Sequence, residues 1–124
     1  MASQKQGLPT IHTRRLQPCY LEAIREGKKT VEARLATEKT LATKEQDIIS
    51  FSSTDESLGA EQLKVQVTRL SRYATFEALL KDYLAECLPG VSNVEEGCEI
   101  YRKIYSKEEE QKFGVVAIHI KLIE

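Results

Sequence analysis

The chain has 124 residues, 41% of them apolar and 30% charged, and a net charge of −1. Its apolar content is enough for one core but hardly two, and its regular apolar runs exclude wholesale disorder. No signal-peptide stretch opens the sequence, no run approaches the roughly 20 apolar residues of a membrane span, and the three cysteines, Cys19, Cys87 and Cys98, lack C-x-x-C pairing. A soluble protein of the reducing cytosol or nucleus is therefore expected, with no membrane partner, disulfide framework, metal or cofactor.

Residues 1–9 read as a flexible N-terminus, followed by a single domain over 10–124. Thr10 to Leu16 has the β-branched content of a strand. A helix follows over 18–26, with Pro18 at its first position, Gly27 beyond its end and Tyr20, Leu21, Ala23 and Ile24 on one apolar face. In the next strand, 29–35, Thr30, Glu32 and Arg34 alternate with Val31, Ala33 and Leu35, the period-two pattern of a half-buried strand. Residues 36–46 suit a long loop or a short helical turn.

The run 47–52 reads as a buried strand, and 62–71 returns antiparallel to it as a hairpin with a long tip. Thr75 caps a helix over 76–86, ended by Pro89-Gly90. Asn93 with Glu96 resembles a capping box for a second helix over 94–105, and Gly114 opens a closing strand over 115–122. Lys107 to Glu110 reads as a solvated helix or loop. Helices inserted among five or six short strands predict an α+β fold, a mostly antiparallel barrel with helices at its rims.

The charge is uneven along the chain. Residues 1–40 hold eight Lys/Arg against four Glu, which leaves −5 on the other 84 residues. Lys29, Glu32 and Arg34 combine a flexible cation, an acceptor and a rigid five-donor fork, the set that holds a phosphate and reads a base edge. The structural alternative is an ordinary salt bridge on an exposed strand. Lys28, Arg14 and Arg15 either extend a phosphate track or form a solvated face. Tyr73 stands beside Arg72 at a strand-to-helix junction, whereas Tyr101 and Tyr105 share an apolar helix face that favours core packing. His12 and His119 lie on strands, with no companion ligand at metal spacing.

Three segments carry a family resemblance: Gly27-Lys28-Lys29-Thr30-Val31-Glu32-Ala33-Arg34, Arg72-Tyr73-Ala74-Thr75-Phe76, and Tyr105 with Phe113-Gly114-Val115-Val116-Ala117-Ile118. Together, from about Thr10 to Ile123, they resemble the ASCH domain, especially its small stand-alone archaeal members. The resemblance implies a PUA-like β-barrel whose relatives bind RNA. It also implies a cleft beside the 28–34 strand and the 69–73 turn, with Lys28, Lys29, Thr30, Glu32, Arg34, Ser52, Arg72 and Tyr73 as ligand-binding residues. RNA or a nucleotide-like small molecule is then the expected partner.

Some family members are amidohydrolases of N4-acetylcytidine, others ribonucleases, and others protein-interaction modules of transcription coactivation. In an enzymatic version Lys29 and Glu32 are the catalytic candidates. The amidohydrolases pair a lysine, matched by Lys29, with a threonine three residues later, where this chain has Glu32. Their further glutamate has no counterpart near Pro89-Gly90. The archaeal Gly-Asp and Phe-Asn become Gln46-Asp47 and Phe51-Ser52.

Overall fold

The computed structural model describes residues 8–58 and 62–123; the flexible N-terminus expected over 1–9 falls largely outside them. Five strands, β1 (Ile11–Leu16), β2 (Val31–Leu35), β3 (Ile48–Ser53), β4 (Gln62–Tyr73) and β5 (Val115–Ile123), form one sheet in the order β1-β3-β4-β5-β2. The β1–β3 pairing is parallel and the other three are antiparallel. The sheet is a mixed, curled half-barrel, which bears out the expected α+β class and leaves a seam between its edges, β1 and β2. Arg34 Nη2 spans that seam, donating to the Arg15 carbonyl at 3.0 Å.

Among the described residues five α-helices flank the sheet: α1 (Pro18–Arg25), α2 (Glu38–Leu41), α3 (Phe76–Cys87), α4 (Val94–Arg102) and α5 (Lys107–Phe113). Pro18 starts α1, and Gly27 takes the left-handed conformation past its end. The expected caps Thr75 and Asn93 accept from the backbone N–H of Ala78 and Glu96. The helix expected over 94–105 instead stops at Arg102. Ser106 and Glu109 then form a reciprocal capping box that starts α5, so the charged run from Lys107 is helical.

Apolar residues pack on both faces of the sheet. Leu16, Ile24, Ile49, Phe51, Val65, Val67, Val116 and Ile118 fill one layer, and Val31, Ala33, Leu35, Phe76, Leu79, Leu80, Tyr101 and Val115 fill the other. The expectation of a single core thus becomes two layers sharing one sheet. β5 makes this economical, because Val115, Val116, Ala117 and Ile118 are all buried and serve both faces alternately. Tyr20 packs against both layers. Gly97 allows α4 to lie close on α3, since a Cβ there would meet a Leu80 methyl at 2.7 Å.

Candidate functional site

The side chains of β2 and of the turn before it meet those of α4 and α1 at the seam. Lys29 is 3% exposed and Glu32 5%. Lys29 Nζ donates to the carbonyls of Val31 and Cys87, both at 2.7 Å, and pairs with Glu32 Oε1 at 3.1 Å. An ammonium has three N–H donors, so all three are engaged. The Tyr20 ring lies beneath the same nitrogen, its centroid 5.4 Å away. The other Glu32 oxygen, Oε2, accepts from Arg34 Nε at 2.6 Å.

Burial alone would push the Glu32 carboxyl up, but Lys29 and Arg34 more than offset it and hold the group below its ordinary value. Burial would likewise lower Arg34, and Glu32 raises it above its ordinary value. Two cations and one buried anion thus form a fixed triad. Of the five guanidinium donors, two are taken by Glu32 and the Arg15 carbonyl. The remaining three can serve a ligand.

A cavity of 260 Å³ opens beside the triad, walled by Lys29, Glu32, Arg34, Tyr20, Tyr101 and Tyr105 and rimmed by the exposed Ile104. Tyr101 and Tyr105 stack on Phe76 at 4.4 and 5.3 Å, so they are core residues and cavity walls at once. Tyr101 Oη lies 3.0 Å from Cys87 Sγ, and burial pushes both of these groups above their ordinary values. The hydroxyls of Tyr20 and Tyr105 have no protein partner among the described residues, yet no buried polar atom is left unpaired. They are therefore open to the cavity or to solvent.

The ASCH domain family model matches residues 15–124. The chain belongs to the ASCH domain family. A crystal structure of protein PH0355 is 41% identical to it, covers 92% of this chain and all of its own, and superposes with a TM-score of 0.83. Protein PF0455 from Pyrococcus furiosus is 39% identical over 93% of this chain and 99% of its own, with a TM-score of 0.75. The ASCH domain from Lactobacillus crispatus shares only 14% identity but covers 98% of this chain and 85% of its own at a TM-score of 0.70, a likeness of fold. No curated protein matches.

Lys28, Thr30, Ser52, Arg72 and Tyr73, also singled out in this ASCH domain, lie apart from the cavity. Lys28 is exposed and pairs with Glu26 at 3.3 Å. Thr30 points to solvent, while its backbone bonds Glu86 and Ile120. Residues 69–73 are not a turn beside the cleft but the continuation of β4, which shifts register between Val67 and Arg69 and stays paired with β5 as far as Tyr73 opposite Val115. Arg72 is exposed there, and Tyr73 donates to Asp82 at 2.6 Å. Unbroken pairing with β5 carries both side chains away from the seam. Ser52 lies in an adjoining groove rather than in the cavity.

His12 bonds Asp47 at 2.8 Å and His119 lies 3.3 Å from Ser71, both structural contacts. Among the described residues no cluster fit for a metal occurs, and no helix is long and apolar enough to cross a membrane. A buried charge in α5 went unforeseen. Glu110 accepts from Phe76 N at 2.7 Å and Arg102 at 2.8 Å, tying α3, α4 and α5 together behind the tyrosine wall. Its only sequence signal is the Ser106-x-x-Glu109 capping box one residue before it.

Proposed function

We propose that this ASCH domain binds RNA or a nucleoside-like ligand by taking one base into the cavity between β2, α1 and α4. The supporting observation is the triad. Glu32 fixes the Arg34 fork beside a tyrosine-lined space, with guanidinium donors left for the edge of a base. At 260 Å³ the cavity falls just below the roughly 300–1,000 Å³ of sites for drug-sized ligands, a volume suited to one base.

Titration of short single-stranded RNA and of free nucleosides, followed by backbone amide shifts, tests this reading. Shifts are expected at residues 29–34 and 101–105, and Arg34→Ala is expected to weaken binding at least about ten-fold, the loss of one or two charge-assisted bonds, while the fold is retained. Shifts confined elsewhere, or an Arg34→Ala variant that binds as well as the parent, would sink it. RNA binding is also expected to weaken with added salt, since phosphate contacts release counterions.

Hydrolysis of an acylated nucleoside such as N4-acetylcytidine is the second reading, resting on the buried Lys29–Glu32 pair in the cavity wall. It requires Lys29 to release one of three engaged hydrogens, and the residue at position 32 offers no hydroxyl nucleophile. Turnover seen by chromatography and abolished in Lys29→Ala would place it ahead of simple binding. A protein-interaction module would instead capture partners even after charge reversal at Lys28, Lys29 and Arg34.

A further inference from the structure

Next to the cavity lies a second, wider concavity of 450 Å³, lined by Thr13, Arg14, Arg15, Arg34, Lys39 and Ser52. Four of these six residues are cations and none is an acid. Arg15 and Arg34 line both spaces, so a ligand can pass from one to the other along two guanidinium groups. We propose that this groove between β1 and α2 is an anion site for a phosphate of the ligand whose base enters the cavity, an inference that rests on the cavity reading.

The arrangement of the cations points to a multivalent oxyanion. Arg14 is held by carbonyls, those of Thr13 at 2.8 Å and Lys39 at 3.3 Å, rather than by a carboxylate. Arg15 is likewise steered by the Ser53 and Thr54 carbonyls, each at 3.3 Å, with one exposed acid, Glu56, at 3.6 Å. Carbonyl anchors orient a guanidinium without cancelling its charge, which leaves the groove positive. Burial, together with the charge of Arg34, lowers Arg14 below its ordinary value.

Lys39 Nζ and the Ser52 hydroxyl have no hydrogen-bond partner among the described residues. A phosphate is the group that accepts from several guanidinium forks, an ammonium and a hydroxyl together. A free nucleoside would fill the cavity and leave these donors empty. The site is therefore built for a nucleotide, either free or within an RNA strand.

The test compares each of the four ribonucleosides with its 3′- and 5′-monophosphate by calorimetry and amide shifts, in the parent, Arg14→Ala and Lys39→Ala proteins at low salt. The monophosphate is expected to bind at least about ten-fold more tightly than its nucleoside, a gain of charge-assisted bonds. The amides of residues 13–15, 39 and 52 should shift only when phosphate is present. Either variant should lose most of the gain while still binding the nucleoside.

Adding dinucleotides separates the two sources: a further gain marks a strand, and none marks a free mononucleotide, both compatible with the anion site. Equal affinity of nucleoside and monophosphate, with shifts at residues 29–34, would overturn the groove and spare the cavity. So would a phosphate gain that survives in both variants. Failure of every ligand to bind would remove the cavity reading, and the groove with it.

Discussion

Glu32 is the residue on which the seam turns, because it neutralises two cations that have little other access to negative charge. Glu32→Gln is expected to destabilise the fold by about 3–5 kcal/mol, the usual cost of removing one partner from a buried pair, read as a lower midpoint of urea unfolding. The pH dependence has a definite sign. The folded carboxyl lies below its ordinary value of 4.5, so the unfolded chain takes up the proton first as pH falls. Its contribution is complete above that value and is lost as pH drops through the folded one. Stability measured from pH 6 to pH 3 should fall less steeply in Glu32→Gln, with Asp47 and Asp55, also depressed, contributing to what remains.

Among the connections, the turn before β3 carries a built-in strain. Gln46 sits at φ 78, a left-handed conformation that costs an L residue with a Cβ roughly 1–2 kcal/mol. The small archaeal ASCH pattern has glycine at this place. Gln46→Gly is expected to stabilise the domain by about 0.5–1 kcal/mol, after the loss of the Gln66 contact to the Gln46 side chain at 3.2 Å. A rise in the thermal midpoint measures it, and an unchanged or lower midpoint would show that the side-chain contact outweighs the strain.

At this scale the sequence was readable wherever the rule is local. Pro18, Gly27, Thr75 and Asn93 marked helix ends, and the alternation through Val31, Ala33 and Leu35 marked β2. The cavity was less readable. Its triad lies in one short segment and could be seen, but Tyr101 and Tyr105 come from the end of α4 and the turn after it, some 70 residues away. Their spacing fits core packing equally well. Arg72 and Tyr73 illustrate the opposite case: they lie in a segment that marks the family, yet their direction depends on the β-bulge and on pairing with β5, neither of which is visible in the residues themselves.

At the scale of the whole molecule, β2 pairs with β5 as its one strand neighbour among the described residues, and Ala33 faces Ala117, 84 positions along the chain. Closing so long a loop is entropically costly, and β3 with β4 forms a far more local hairpin. Hydrogen exchange is therefore expected to show the amides of β2 opening before those of β3 and β4; the reverse order would contradict this account. The feature has a temporal meaning for a chain made from its N-terminus. Lys29, Glu32 and Arg34 are synthesised early but have no sheet to sit in until residues 115–123 have left the ribosome. Binding competence then arrives as a late event, and a nascent or truncated chain lacking β5 would carry all the charges of the site without the means to recognise anything with them.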